Sequence, residues 1–338
     1  MGRIYWYCWP CILLAFGVLL LHWVLQVFHS RRFRKQAAQV PVTEMPIFVI
    51  GLWRSGTSLL HELMTLDPRH AAPTSYECFC PLHFLVTGPI IQRLIAMQPK
   101  RGRPMDDMKI GPDSPQEDEF ALFLKGVPSP YESLVFPNDP CPNPDILDVR
   151  KFHVDDLARW KAALLEFVQQ VQSVHRRRLV LKSPTHTARI EVLAEMFPGA
   201  RFLYIIRNPY DLFSSNRKLI RSLVPIFTLE KASLANVDAT IFENYRLMHE
   251  QVEAARLLLP PGHFHQLRFE DLVKDPHGEM QKAYECLELG GFEAVRPGME
   301  KYFAERADHK VGNYQLSAEE RATVRQHWGH ILYQHAYE

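Results

Sequence analysis

The chain has 338 residues, with 39 lysines and arginines against 38 aspartates and glutamates, so its formal net charge is +1. That balance provides no overall cationic field for a nucleic-acid backbone. A hydrophobic fraction of 47% and a charged fraction of 23% also exclude an intrinsically disordered chain. The sequence therefore predicts a folded protein that does not bind nucleic acid, with a length that suits one large or two small domains.

A long apolar segment lies near the N-terminus. Residues 4–28 contain no Asp, Glu, Lys or Arg, and their length suits a membrane span, which needs about 20 apolar residues. A cleaved signal peptide is the alternative, but its apolar core has only about 7–15 residues. We therefore predict a transmembrane anchor over residues 1–30, a basic linker over residues 31–44 and a large domain over residues 45–338.

Charges on either side of the apolar segment predict its orientation. Only Arg3 and the α-amine precede it, whereas four basic residues follow it closely: Arg31, Arg32, Arg34 and Lys35. By the positive-inside rule, the anchor crosses the membrane once and the large domain lies in the cytoplasm. The sequence also contains no Asn-x-Ser/Thr acceptor, which agrees with a domain that is not secreted.

The six cysteines show no pattern typical of a metal site or a disulfide framework. Cys8 and Cys11 form a C-x-x-C motif inside the apolar segment, where they are interpreted as apolar filler. Cys78 and Cys80 have no second pair of cysteines or histidines at zinc-like spacing. The sequence therefore predicts no bound metal.

Apolar runs alternate with helical patterns after the linker. Strands are predicted at residues 46–51, 179–181, 201–206 and 264–269, and helices at 57–66, 155–175, 185–197, 209–219 and 242–259. Residues 99–150 are rich in Pro, Gly and Asp, which predicts long loops with one helix near 117–125, and the rest of the chain reads as helical to residue 333. The alternation predicts an α/β protein, a three-layer P-loop-like fold with a central parallel sheet flanked by helices.

A glycine-rich turn follows the first predicted strand and opens a helix. Its sequence, Gly51-Leu-Trp-Arg-Ser-Gly56-Thr57-Ser58, copies the spacing of a nucleotide P-loop, and such turns bind anions through backbone N–H groups. However, Thr57 stands where a P-loop has the lysine that serves the β- and γ-phosphates. The cation is Arg54, whose guanidinium suits a bidentate grip on phosphate or sulfate. An ordinary glycine turn is the alternative interpretation.

Two further predicted strands also end in cations. Lys182 follows the strand at 179–181, and Arg207 follows the strand at 201–206, with Ser215 eight residues later on the next helix. The carboxyl ends of parallel strands are where open α/β sheets bind ligands. Three cationic strand ends in one sheet predict a shared anion site.

These residues resemble the sulfotransferase superfamily, and most closely its broad bacterial-type branch. Four features carry the resemblance, in chain order: the R-S-G-T-S core at 54–58, Lys182 placed 25 residues before Arg207, the Arg207/Ser215 pair, and Phe269-Glu-Asp-Leu272 followed by Asp275-Pro276. The resemblance covers the chain from about residue 46 to its end.

The resemblance implies that residues 45–338 form the catalytic domain of a sulfotransferase. It implies the donor 3′-phosphoadenosine 5′-phosphosulfate (PAPS), whose sulfuryl group is transferred in line, without a metal, to an acceptor hydroxyl. By the resemblance, Arg54, Ser55, Gly56, Thr57 and Ser58 hold the 5′-phosphosulfate. Arg207 and Ser215 bind the 3′-phosphate, and Lys182 lies near the bridging oxygen. The predicted anchor favours a lipid or a glycan as the acceptor.

The acceptor hydroxyl must lose a proton to a nearby base. Glu77, after the first helix, lies at a place similar to the catalytic glutamate of tyrosylprotein-type relatives; its alternative interpretation is a surface or cap carboxylate. His186 is a second candidate, although Pro184 occupies the position of the catalytic histidine in cytosolic members of the superfamily. The sequence favours Glu77 and leaves His186 open.

Two other functions fit the glycine-rich turn. A P-loop kinase or other NTPase would use the same strand, turn and helix, but Thr57 in place of the lysine argues against it. A membrane-tethered protein that binds anionic nucleotides without turnover would need the cations but no base.

Overall fold

The computed structural model describes residues 5, 8–32, 42, 44–95, 101–103, 106–138, 144–306 and 316–338. The chain forms two compact units: unit 1 (Met1–Glu44, Ala71–Leu179 and Arg221–Leu234) and unit 2 (Met45–His70, Val180–Ile220 and Ala235–Glu338). Most of the predicted basic linker lies outside the described residues. The predicted boundaries at residues 30 and 44 therefore stay a prediction.

The elements follow one another in this order: α1 (Trp9–Arg32), β1 (Ile47–Ile50), α2 (Thr57–Thr65), β2 (His70–Ala71), α3 (Ser75–Phe79), α4 (Phe84–Ile95), β3 (Arg101–Arg103), β4 (Asp106–Ile110), α5 (Asp118–Leu124), α6 (Glu132–Val135), α7 (Pro144–Leu147), α8 (Val154–His175), β5 (Arg178–Lys182), α9 (Ile190–Met196), β6 (Arg201–Ile206), α10 (Pro209–Phe227), α11 (Val237–Arg256), β7 (Phe264–Arg268), α12 (Phe269–Lys274), α13 (Pro276–Cys286), α14 (Arg296–Ala304) and α15 (Ala318–Gln334). Short 3₁₀ helices lie at Val149–Lys151, Pro184–Ala188 and Phe292–Ala294.

The central sheet has the strand order β2-β5-β1-β6-β7. Strand β1 pairs in parallel with β5 and β6, and β6 pairs in parallel with β7. All four residues of β1 are buried, and a strand covered on both faces reads as a continuous apolar run. The parallel sheet flanked by helices confirms the predicted α/β fold.

The core of unit 2 fixes the start of α2 against the sheet. Leu60 and Leu63 of α2 are fully buried in the same cluster as Val49 of β1 and Ile205 of β6. Burying a leucine side chain contributes about 1.5–3 kcal/mol. The strand β1, the loop after it and the first turns of α2 are therefore held in place by apolar packing.

The single helix predicted over residues 185–197 is wrong. A 3₁₀ helix, Pro184–Ala188, is followed by α9, and Arg189 between them has φ −126° and ψ 12°, outside the helical region. The Arg189 side chain is buried, and its Nη1 donates back to Thr185 Oγ1 at 3.4 Å. A distant residue also contacts this segment, since the backbone N–H of Gly51 donates to Thr187 Oγ1 at 2.8 Å. The helical spacing of the apolar residues therefore does not produce one continuous helix.

The loop prediction for residues 99–150 is also only partly right. Helix α5 confirms the helix expected near 117–125, but β3 and β4 form an antiparallel hairpin, and α6, α7 and a 3₁₀ helix follow. The strands escaped detection because Arg101-Gly-Arg103 has no apolar side chain and Asp106-Asp-Met-Lys-Ile110 has only two, too few for an alternation that indicates a strand.

Helix α1 carries the apolar segment. Its window Ile12–His29 has a mean hydropathy of 2.0 and only 6% of that window is buried, so this helix is long and apolar enough to cross a membrane. Pro10 lies in its first turn, where proline is tolerated. The side chains of the four basic residues, of which Arg31 and Arg32 end the helix and Arg34 and Lys35 follow it, lie outside the description.

Candidate active site

The loop between β1 and α2 has a backbone that only glycine can supply at two positions. Gly51 (φ +150°) would place a Cβ 2.6 Å from the carbonyl oxygen of Ile205, and Gly56 (φ +108°) would place one 2.4 Å from Cδ2 of Phe269. The N–H of Gly51 donates to Thr187 Oγ1 at 2.8 Å. The loop is therefore packed closely against β6, the first residue of α12 and the 3₁₀ helix Pro184–Ala188.

Arg54 also has a left-handed backbone, with φ +70°. Residues other than glycine seldom adopt this backbone conformation, and those that do concentrate at functional sites. Its side chain crosses to α10, where Nε donates to Ser215 Oγ at 3.1 Å. The loop cation and the serine of the second predicted motif are thus in contact.

Arg207 completes this cluster from the end of β6. Its Nη1 donates to the carbonyl oxygen of Arg54 at 3.1 Å, and its guanidinium lies 4.6 Å from the ring centroid of Phe269. The cation–π contact and the hydrogen bond hold Arg207 beside the loop. The structure brings Arg54, Arg207 and Ser215 into one cluster. The assignment of Arg207 and Ser215 to one anion stays a prediction.

Ser55 is the residue of the loop that most directly indicates a ligand. Its side chain is 1% exposed, and its Oγ has no hydrogen-bond partner within the part of the chain that the structure describes. A buried polar group left unpaired costs about 1–3 kcal/mol. An oxyanion bound in the loop would supply the missing partner, so these residues fit a phosphate or sulfate group.

The remaining predicted residues of unit 2 lie at the same edge of the sheet. Thr57 is buried and Ser58 half-buried in the first turn of α2. Lys182 ends β5, where it is the register partner of Val49, and its side chain is 3% exposed. His186 is fully buried in the 3₁₀ helix after β5, with its ring edge-on to Phe48 at 5.4 Å.

Glu77 belongs to unit 1 and has a structural role of its own. Thr74 and Glu77 form a capping box at the start of α3: Glu77 Oε2 accepts from the Thr74 backbone N–H at 2.7 Å and from its hydroxyl at 2.9 Å. Glu77 Oε1 lies 2.9 Å from Nε2 of His175, and Glu77 is 1% exposed. The cap interpretation of Glu77 is confirmed, and its catalytic role stays a prediction.

His175 is a partner that sequence reasoning missed. It is the last residue of α8, 98 positions from Glu77, and nothing in the local sequence distinguishes it from a helix-terminal charge. Because His175 is 18% exposed and Glu77 only 1%, the histidine is the more accessible member of this pair.

Glu270, part of the 269–272 signature to which the sequence assigned no role, holds the residue that follows Arg207. Glu270 Oε1 accepts from the backbone N–H of Asn208 at 2.8 Å, and Oε2 accepts from the hydroxyl of Tyr337 at 2.8 Å. Burial, followed by the charge of Glu270, raises the pKa of Tyr337, so its hydroxyl stays protonated and able to donate. The signature at 269–272 thus has a structural role: Phe269 stacks on Arg207, and Glu270 fixes Asn208, the residue after Arg207.

Replacing Glu270 with alanine is expected to weaken the binding of adenosine 3′,5′-bisphosphate about tenfold, because Asn208 and Tyr337 both lose their acceptor and Arg207 loses its fixed position. Glu270→Gln keeps an oxygen acceptor for Asn208 and is expected to stay within about threefold of the parent. Calorimetric titration of the two variants measures the difference. Equal affinity for Glu270→Ala and the parent would contradict this role.

No group of three or more His, Cys, Asp or Glu side chains that could hold a metal ion occurs among the described residues. Cys8, Cys78, Cys80 and Cys286 are free thiols, while the side chains of Cys11 and Cys141 lie outside the description.

Comparison with known proteins agrees with this geometry. Residues 46–121 and 136–294 match a family model described as "Sulfotransferase family". The chain is 40% identical over 309 residues to omega-hydroxy-beta-dihydromenaquinone-9 sulfotransferase Stf3 from Mycobacterium bovis and to its counterpart from Mycobacterium tuberculosis, with 90% of this chain and 79% of each relative covered.

Solved structures share the fold. Sulfotransferase STF9 from Mycobacterium avium superposes with a TM-score of 0.69 at 22% identity, over 92% of this chain and 81% of that one. Sulfotransferase STF1 from Mycobacterium tuberculosis gives a TM-score of 0.62 at 21% identity, over 90% and 81% of the two chains. The chain therefore belongs to the sulfotransferase family and is an enzyme of sulfuryl transfer.

Proposed function

We propose that this enzyme transfers the sulfuryl group of PAPS to a hydroxyl of a lipid-soluble acceptor. The observation that carries the donor assignment is the cluster of Arg54, Arg207 and Ser215 beside the unpaired, buried hydroxyl of Ser55. Two guanidinium groups and a buried donor at one sheet edge suit a ligand with two separate anionic groups.

The donor supplies an activated sulfuryl group and a phosphate leaving group. In the proposed site Arg54, Ser55, Gly56, Thr57 and Ser58 hold the phosphosulfate end. The side chains of Arg207 and Ser215 bind the 3′-phosphate. Fixed cations and backbone N–H groups stabilise negative charge most effectively where water is excluded, and both the Ser55 and Thr57 side chains are buried.

Lys182 is proposed to stabilise the leaving group. Its side chain is buried at the end of β5, the strand next to β1. A buried ammonium near the bridging oxygen can stabilise the negative charge that develops there as the sulfur–oxygen bond of the donor breaks. The new bond forms between sulfur and the acceptor oxygen, whose proton passes to the base. The family membership and Thr57 at the P-loop lysine position both disfavour the alternative of an NTPase.

The proposal of a lipid acceptor rests on similarity to two named relatives and on the exposed surface of α1. The 40% identical relatives are named for a hydroxylated dihydromenaquinone, which is a lipid, and α1 exposes a long apolar surface. A lipid hydroxyl is therefore favoured over a glycan. The catalytic domain is proposed to lie on the cytoplasmic side, attached to the membrane through α1.

The test of this function uses the full-length purified enzyme in detergent with radiolabelled PAPS. Incubation with total lipid from the host should move label into the organic phase, with no transfer of label to soluble glycans, and a metal chelator should leave the rate unchanged. Phosphoryl transfer from ATP without any sulfuryl transfer would contradict the proposal.

The base is tested separately. Glu77→Gln is expected to lower turnover at least a hundredfold while leaving the affinity for adenosine 3′,5′-bisphosphate within about twofold, because general base catalysis contributes roughly 10²–10⁴-fold. The amide oxygen can still accept from Thr74, so the cap of α3 is kept. Turnover and thermal unfolding of the same samples separate a chemical effect from a structural one.

Glu119→Gln is the matched control for this variant, since Glu119 is also buried and accepts from the hydroxyl of Ser129 at 2.7 Å. It should retain turnover. If Glu77→Gln keeps near-normal turnover and His186→Gln loses it, the base is His186.

A further inference from the structure

Helix α1 is fixed to the rest of unit 1 at its N-terminal end. The backbone N–H of Tyr5 donates to the carbonyl oxygen of Leu229 at 3.1 Å, and Leu229 in turn donates its N–H to Val135 at 3.1 Å. Cys8, one residue before the helix begins, is buried. The start of the helix therefore adjoins the segment that follows α10.

The same helix is fixed to unit 1 at two further places, at His22 past its middle and at His29 near its C-terminal end. The ring of His22 meets the ring of His83 edge-on, with centroids 4.6 Å apart. His29 is 3% exposed, and its Nε2 lies 3.2 Å from Nε2 of Gln170 on α8. Burial, and after it the proximity of His22, lowers the pKa of His83 to about 4, so this ring contact carries no charge repulsion at neutral pH.

Between the first two of these attachments the helix stands clear of the protein. Every side chain from residue 13 to residue 21 is exposed. These nine residues span about 14 Å at 1.5 Å per residue, which is less than half of the roughly 30 Å hydrocarbon thickness of a bilayer. The exposed apolar side chains include Leu13, Leu14, Phe16, Leu19, Leu20 and Leu21.

A helix that crosses a bilayer has its two ends on opposite faces, with its whole length between them in lipid. The two ends of α1 contact one compact unit, so both ends lie on the same side of the membrane. A helix held in this way can enter only the near leaflet, as interfacial helices do when they bury an apolar face about 5–10 Å deep.

We propose that α1 lies in the plane of the membrane, inserted into one leaflet, rather than crossing the bilayer. This inference deepens the proposed membrane attachment and rests on it. It differs from the perpendicular crossing that hydropathy alone predicts.

Lipid is the occupant that fits the exposed surface of α1. Trp9 and Trp23, 53% and 61% exposed, have amphipathic rings that favour the headgroup zone. Basic residues flank both ends of the apolar segment in the sequence, with Arg3 before it and four after it, at positions 31, 32, 34 and 35. They complement anionic headgroups. Ile226 and Phe227, 55% and 51% exposed, lie two to three residues before Leu229, the residue that contacts Tyr5.

Topology mapping tests the inference directly. Two versions of the full chain, one with a protease-cleavable epitope before Met1 and one with the same epitope after Glu338, are expressed in the host and recovered in inverted membrane vesicles. Protease added outside should remove both epitopes. Protection of the N-terminal epitope together with loss of the C-terminal one would show a crossing helix and overturn the inference. Recovery of the chain in the soluble fraction would instead overturn membrane attachment itself.

Purified protein provides a second test, with vesicles of phosphatidylcholine and phosphatidylglycerol. The double variant Leu19→Glu, Leu20→Glu should lose at least tenfold in vesicle flotation while keeping sulfuryl transfer to an acceptor dissolved in detergent. The matched control is Leu257→Glu, Leu258→Glu, which changes an equally exposed leucine pair, 79% and 71% exposed, just after α11. Equal flotation of both double variants and the parent would contradict the leaflet contact.

Discussion

Replacing Arg54 or Arg207 with alanine is expected to weaken the binding of adenosine 3′,5′-bisphosphate roughly tenfold to a hundredfold. Each guanidinium is proposed to bind an anionic group of the donor, and hydrogen bonds to charged groups contribute about 1.5–3 kcal/mol. Arg207→Ala is expected to have the larger effect, because its loss also removes the hydrogen bond to the Arg54 carbonyl and the contact with Phe269. Isothermal titration calorimetry measures both.

Arg246→Ala is the control for these variants. This exposed arginine of α11 makes ion pairs with Glu243 and Glu250, and surface pairs contribute only about 0–1 kcal/mol. Its affinity for the nucleotide should equal that of the parent. Unchanged affinity in Arg54→Ala and in Arg207→Ala alike would refute the assignment of the donor site.

Replacing Gly56 with alanine is expected to abolish measurable donor binding and to lower the free energy of unfolding by about 2–5 kcal/mol. Two costs add: the left-handed backbone of Gly56, about 1–2 kcal/mol for a residue with a Cβ, and the overlap of that Cβ with the Phe269 ring, about 1–3 kcal/mol. Because Phe269 also stacks on Arg207, displacement of the ring would move the second cation. Thermal unfolding and nucleotide titration measure the two effects.

Gly126→Ala separates the two costs. Gly126 also has a positive φ, +75°, but a Cβ there would meet no atom within 4 Å. We expect it to destabilise the protein by only the backbone cost, about 1–2 kcal/mol, and to leave donor binding unchanged. If Gly56→Ala behaves like Gly126→Ala, the close approach of loop and ring has no importance for the site.

Local sequence patterns predicted the parts of the site that depend on nearest neighbours in the sheet. Strand β1 reads as a continuous apolar run because both of its faces are covered. Arg54, Lys182 and Arg207 each follow a strand, and the carboxyl ends of parallel strands meet at one edge of the sheet. Their place at one edge of the sheet follows from fold class. The contact of Arg54 with Ser215, 161 positions away, was not predicted, because the sequence pairs Ser215 with Arg207.

The parts that escaped prediction depend on contacts between distant segments with no periodic signal. Glu270 joins Asn208 to Tyr337 across 62 and 67 positions, and neither partner has a residue type that marks it. At the break near Arg189, the buried guanidinium donates locally to Thr185, and Thr187 accepts from the distant Gly51. Helical spacing indicates neither hydrogen bond.

The hydrogen bond from Arg54 to Ser215 has a consequence for the thermodynamics of donor binding. An arginine side chain has about 2 kcal/mol of rotamer entropy to lose when it is fixed. In this protein the Arg54 guanidinium is already oriented by Ser215, so that entropy is lost when the chain folds rather than when the nucleotide arrives. The site is preorganised, and less of the interaction energy with the donor is offset by ordering of the side chain.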